Sequence, residues 1–232
     1  MTHPPPTTDN DKSSIYGVVA PQATYRPWTK DREFQNVYSQ IRSSTLVDEY
    51  RCFELWNLVE QSAKLDRGAL IEIGAWRGGT GALIGAQAAR CGIEDTVYLC
   101  DTFKGVVKAG PMDSAYEGGE HSDTTLQAVE ELLRGMSLRN VKILSGIFPD
   151  ETGGDVPDGE FRFCHIDVDV YLSAKDIVDW LWHRMVRGGI IVFDDYGFYS
   201  CDGITKYVES HMNSSDRLFM HNLNGHAVVI KL

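Results

Sequence analysis

The segment Ala69-Leu-Ile-Glu-Ile73 runs directly into Gly74-Ala-Trp-Arg-Gly-Gly-Thr80 and then into a small-residue stretch from Gly81 to Cys91. An apolar run this short, closed by glycine, predicts a buried strand, and the small-residue stretch after it predicts a helix packed closely on that strand. The pattern recurs. Strands are expected at Thr96–Cys100, ending at Asp101; at Asn140–Leu144, after a helix at Thr124–Arg134; at Phe161–Ile166, ending at Asp167; and at Gly189–Phe193, ending at Asp194-Asp195. Strands alternating with helices require right-handed crossovers, so the fold class is α/β with a doubly wound, mostly parallel sheet. The C-terminal stretch, Arg217–Met220 and His226–Leu232 around Asn222-Leu-Asn-Gly225, reads as an antiparallel hairpin with an Asn-Gly turn.

A chain of 232 residues with 43% hydrophobic content can build one generous domain. Three organisational units are expected. Residues 1–24, with three consecutive prolines and many Ser, Thr and Asp, form a flexible or lid-like arm. Residues 25–66 form a helical cap, because Phe34, Val37, Tyr38 and Ile41, then Tyr50, Phe53, Leu55, Trp56 and Val59, recur at helical spacing. Residues 67–232 are the core, interrupted by a glycine-rich loop over 103–123 long enough to serve as a lid.

Composition excludes several partners. No run approaches the roughly 18 apolar residues of a membrane span, and Met1 to Lys12 lacks the apolar centre of a signal peptide; a cytoplasmic protein without a membrane partner is expected. The net charge of −11 comes without a Lys/Arg cluster, which argues against nucleic acid. Five scattered cysteines lack the paired spacing of a zinc site and read as reduced structural thiols.

The chemistry concentrates at the strand ends. Glycines at a strand-to-helix turn let backbone approach a ligand, but Gly74 to Gly79 follows G-x-x-x-G-G rather than the dinucleotide order G-x-G-x-x-G. Glu72, ahead of the first glycine, suits a ligand with a positive ammonium group, or else it is a strand-end acid at a tight turn. Asp101 stands where an acid accepts hydrogen bonds from ribose hydroxyls; together the two acids imply a nucleoside. His165-Ile-Asp167-Val-Asp169-Val-Tyr171 and Phe193-Asp194-Asp195-Tyr196 bring four carboxylates to one crevice. Their repulsion calls for a cation, and a hard ion such as Mg²⁺ fits carboxylate ligands; helix capping accounts for one or two of them at most. On an extended strand Asp167 and Asp169 would point the same way at different depths. Gly146-Ile-Phe148 reads as an adenine-pocket wall or an ordinary turn. His121, in the loop, and Tyr171 and Tyr196, behind the acidic segments, are candidate acceptor contacts.

These residues resemble the macrocin O-methyltransferase family, which includes the mycinamicin and noviose sugar methyltransferases. The likeness runs from about Leu46 to Lys231, through Leu46-Val-Asp-Glu-Tyr-Arg51, Glu72–Thr80, Asp101-Thr-Phe-Lys-Gly105, Asp167-Val-Asp-Val-Tyr171 and Gly188-Gly-Ile-Ile-Val-Phe-Asp-Asp-Tyr196. It implies a Rossmann-like class I methyltransferase that uses S-adenosyl-L-methionine and Mg²⁺ to methylate a hydroxyl of a small molecule, a deoxysugar above all, and works as a homodimer. By the same resemblance Asp167, Asp194 and Asp195 ligate the metal and Asp169 is the general base. Glu72 and the glycine loop, with Gly74, Trp76, Arg77, Gly78 and Thr80, would hold the methionine part and Asp101 the ribose; Thr102, Phe103, Gly146, Phe148 and Asp167 are further expected cofactor contacts. The loop after Val106 and the N-terminal arm depart from the family. Two rivals stay open: a catechol-type methyltransferase acting on a phenolic diol, and a non-catalytic nucleotide-binding module.

Overall fold

The computed structural model describes residues 15–20, 22–157 and 159–232. Most of the 1–24 arm lies outside the described residues; Ile15–Ala20 and Gln22–Thr24 carry no helix or strand.

Two capped helices open the ordered chain. In α1 (Arg32–Ile41) the Asp31 carboxylate accepts from the Phe34 amide, and Phe34, Val37 and Ile41 are buried on one face. In α2 (Glu49–Ser62) Asp48 accepts from the Tyr50 and Arg51 amides, and Cys52, Leu55, Trp56 and Val59 face inward. The core follows as β1 (Ala69–Ile73), α3 (Gly79–Arg90), β2 (Val97–Asp101), α4 (Leu126–Gly135), β3 (Val141–Ser145), β4 (Phe161–Ile166), α5 (Tyr171–Leu181), β5 (Met185–Phe193), α6 (Asp202–His211), β6 (Arg217–His221) and β7 (Ala227–Lys231).

The seven strands lie in the order β3-β2-β1-β4-β5-β7-β6. Neighbours from β3 to β5 pair in parallel, and β7 runs antiparallel to both β5 and β6, as the hairpin reading requires. Side-chain alternation splits the core between the two faces. Leu70, Leu99, Phe163, Val192 and Val228 pack under α1–α4, while Ile71, Ile73, Cys100, Ile166, Phe193 and Val229 pack under α5 and α6. The chain leaves β1 toward β2 on one side and reaches β4 on the other, so the carboxyl ends of β1 and β4 open a crevice at the point where strand order reverses.

Strand β5 begins at Met185, four residues before the expected Gly189. An irregularity opposite Phe161–Phe163 lets Met185 pair with Phe161 before regular pairing resumes at Ile190. The 103–123 segment has no helix or strand, but it is fastened rather than loose. Ser173 Oγ donates to the Val107 carbonyl, the Tyr171 amide to Asp113, the Ser114 amide to Asp202, and Lys108 bridges Asp150 and Asp176. No helix among the described residues is long and apolar enough to cross a membrane.

Candidate active site

A cavity of about 520 Å³ fills the crevice, within the range of roughly 300–1,000 Å³ that small-molecule sites occupy. Its cofactor-like half begins at Gly74, where the strand ladder continues past β1: the Gly74 amide donates to the Cys100 carbonyl and the Asp167 amide to that of Ile73. Gly74 has φ +93°, and a Cβ there would lie 1.6 Å from the Asp167 carbonyl oxygen, so no side chain can stand at this crossing. Asp101, at the tip of β2, accepts from the Trp76 amide at 2.7 Å and the Phe103 amide at 2.6 Å, one on each carboxylate oxygen. Burial raises its pKa, and these amides oppose the shift. Each oxygen retains a lone pair for a hydroxyl.

Gly74, Trp76, Thr80, Thr102, Gly146, Phe148 and His121 line the same cavity, with Asp101, Asp167, Asp169, Asp194 and Asp195. Six expected contacts do not. Glu72 is fully buried one layer behind, on the α3 face with Leu70, because strand alternation turns it away from the crevice. Arg77 stacks over the Trp76 ring at 4.2 Å and pairs with Asp123, which pins the end of the loop to the glycine turn. Gly78 starts α3 with φ +80°, and its missing Cβ makes room for Val129. Phe103 contributes its amide while its ring packs on the α1–α4 core. Tyr171 stacks edge-on against Tyr207, and Tyr196 is buried against Phe219 and His221, so both serve packing.

The acidic half differs from the strand-end picture. β4 stops at Ile166, so alternation does not govern Asp167 and Asp169; Asp169 has φ +63° and Asp195 φ +59°, backbone turned into the left-handed region. Asp169 and Asp195 meet beside Cys201, their ligand atoms within 4.8 Å of one another; Asp167 stands outside that group. Tyr116, from the loop, donates its hydroxyl to Asp169 at 2.7 Å. Burial first, then the neighbouring carboxylates, push Asp167 and Asp195 well above the usual carboxylate range; burial also raises Asp169, against the Tyr116 hydrogen bond.

The repulsion is relieved in part by the protein's own cation. Arg51, from α2, donates to Asp194 and, at 3.2 Å, to Asp195. Asp194 Oδ1 also accepts from the Asp195 amide. Burial disfavours its charge, yet Arg51, His226 and His165 overcome that and hold Asp194 well below the ordinary range. Asp194 is therefore held charged, while Asp167, Asp169 and Asp195, whose ionised forms are disfavoured, face the cavity, and this carboxylate set suits a hard divalent cation that would favour their ionisation. Arg51 and Tyr116 contact the acidic cluster in a way that strand-end reasoning does not find, since one looks like a surface charge on a helix and the other sits in an irregular loop.

The strand order, the crevice at its reversal and the antiparallel β7 define a class I methyltransferase fold. The chain belongs to the macrocin-O-methyltransferase (TylF) family, whose pattern matches residues 21–222. Among curated proteins it is 29% identical over 153 residues to the 8-demethyl-8-(2,3-dimethoxy-alpha-L-rhamnosyl)-tetracenomycin-C 4'-O-methyltransferase of Streptomyces olivaceus, covering 60% of this chain and 58% of that protein. The match thus spans under two thirds of that relative's length. Among solved structures, the O-methyltransferase NovP aligns over 81% of both chains with a TM-score of 0.68 at 22% identity. The O-methyltransferase TomG of Streptomyces achromogenes, involved in tomaymycin synthesis and solved in complex with SAM, aligns over 87% of this chain and 90% of its own with a TM-score of 0.60 at 12% identity.

Proposed function

We propose that this chain is an S-adenosyl-L-methionine- and Mg²⁺-dependent O-methyltransferase acting on a hydroxyl of a small molecule, foremost a deoxysugar of a glycosylated natural product. One observation carries the reading: a single cavity holds a carboxylate pinned by two backbone amides at one end and three under-compensated carboxylates at the other. The first end suits a ribose and the second a cation with a chelating diol. Family membership, the rhamnosyl acceptor of the Streptomyces olivaceus relative and the SAM held by TomG support it.

The sulfonium methyl supplies the electrophile, and a bound divalent ion lowers the pKa of a hydroxyl at its side. Asp101 receives the ribose hydroxyls, with Thr102 beside it; Gly74, Trp76 and Thr80 border the methionine end, and Gly146 and Phe148 the adenine end. Asp167, Asp194 and Asp195 would hold the cation. Asp169 takes the acceptor proton as the methyl is transferred directly, and its carboxylate is aimed by Tyr116 Oη. The fastened loop, with His121 on its inner side, keeps water from both substrates. The same reading makes the protein cytoplasmic and homodimeric, with residues 25–66 as a cap on the 67–232 core.

Transfer of isotope from methyl-labelled cofactor to a panel of glycosides and catechols tests the proposal. Glycosides should be labelled, chelator should abolish the transfer, and added Mg²⁺ should restore it. Transfer that survives exhaustive chelation would remove the metal, labelling of catechols alone would establish the phenolic rival, and binding of nucleoside without any transfer would leave a non-catalytic module.

A further inference from the structure

Behind the crevice floor, on the sheet face covered by α2, lies a polar cluster that the proposed methyl transfer touches only through Asp194. β5 runs between β4 and β7. His165 on β4, Asp194 just past β5 and His226 just ahead of β7 therefore converge, each 0–1% exposed. Each imidazole is held by a carboxylate on its Nδ1. His165 Nδ1 lies 2.7 Å from Glu72 Oε1, and His226 Nδ1 lies 2.8 Å from Glu54 Oε2.

That leaves both Nε2 atoms facing Asp194 Oδ2, at 3.4 and 3.6 Å. These are ion-pair separations, and His165 Nε2, His226 Nε2 and Asp194 Oδ2 are all buried without a hydrogen bond. Three orphaned polar atoms facing one another in a dry core are costly unless something sits among them. Their spacing is informative, because ligand atoms about 2.0–2.1 Å from a tetrahedral ion stand roughly 3.3–3.4 Å apart. The carboxylate on each Nδ1 is the outer partner that metal-bound histidines characteristically have.

Charge points the same way. Asp194 pairs with Arg51, a cation it shares with Asp48 and Asp195, while Glu72 and Glu54 pair with His165 and His226. The negative charge left over calls for imidazolium protons or a divalent ion. Two protons would both be directed at Asp194 Oδ2, over 3.4 and 3.6 Å.

We propose that His165 Nε2, His226 Nε2 and Asp194 Oδ2 form a buried structural site for a late first-row divalent ion of the zinc type. Imidazole ligands select such ions over Mg²⁺. The site uses the Asp194 oxygen that faces away from the crevice, so it is separate from the Mg²⁺ proposed there. It ties β4, β5 and the entry to β7 together beneath the acidic loops. Because its ligands are sealed, the ion enters as the chain folds.

The test is to express the full chain in metal-depleted medium supplemented with Co²⁺, then wash the folded protein with chelator to clear the open crevice. About one Co²⁺ per chain should remain and give the visible d–d absorption of a low-coordinate nitrogen/oxygen site, and His226→Gln should lower the retained ion to less than about a tenth. Zn²⁺ supplied instead should be retained to the same stoichiometry. A folded wild-type chain that retains neither ion overturns the site, as do cobalt bands that persist unchanged in His226→Gln. Imidazole nitrogen resonances showing protons on both Nε2 atoms of wild-type protein grown with Zn²⁺ would establish the two-proton arrangement and overturn it as well.

Discussion

The two ends of the crevice handle negative charge in opposite ways. At Asp101 each carboxylate oxygen is met by a backbone amide, so the cost of burying the charge is offset in part by main chain that cannot swing away. At Asp167, Asp169 and Asp195 burial and mutual repulsion disfavour the charged forms, and the relief comes from side chains of distant segments, Arg51 at Asp194 and Asp195 and Tyr116 at Asp169. A compensated carboxylate is a fixed fitting for a ligand that never changes. An under-compensated set holds electrostatic strain that a cation and an ionising hydroxyl can release.

That contrast can be broken first at its most loaded point. Asp169→Asn should lower kcat by roughly 10²-fold or more while leaving cofactor and Mg²⁺ affinity nearly unchanged. Steady-state kinetics across a Mg²⁺ titration check this, and rescue of the variant by excess metal would make Asp169 a ligand instead. At the other end, Asp101→Ala should weaken S-adenosylhomocysteine binding by about 1 to 3 kcal/mol, roughly 5- to 150-fold in Kd by calorimetry. Equal weakening of metal binding would show that the ends are not separable.

Tyr116→Phe probes the link between them and should cost about 2- to 10-fold in kcat, the loss of one hydrogen bond, with cofactor Kd unmoved. A changed cofactor Kd would assign the tyrosine to the wrong end. Tyr196→Phe should change kcat/KM by less than about twofold, because its ring packs on Phe219 and His221 away from the cavity. A loss approaching that of Tyr116→Phe would return Tyr196 to the acceptor's surroundings.

Much of the scaffold was legible because buried parallel strands read as apolar runs that stop at acids or glycine. β1 and β4 match their expected bounds, and β2 and β3 shift by a single residue. The direction of Glu72 was also within reach, since alternation puts it on the face of Leu70 and not toward the crevice. Other features depend on contacts that no local pattern encodes. Arg51 meets Asp194 across 143 residues of chain and Tyr116 meets Asp169 across 53. The left-handed turns at Asp169 and Asp195 arise where the strand has ended, so a period of two no longer describes them.

The missing side chain at Gly74 has a further consequence. Because the Asp167 carbonyl occupies the place of its Cβ, the turn beside the cofactor end and the loop beside the cation share one point of registration. Neither can shift without the other. Under the proposed function, acceptor choice can vary at the rim, above all the 103–123 segment, while the spacing between the two ends of the crevice is held as a unit. Transplanting that rim between relatives should alter which molecule is methylated and spare the reach of the transfer, a division of labour useful to anyone redesigning the enzyme.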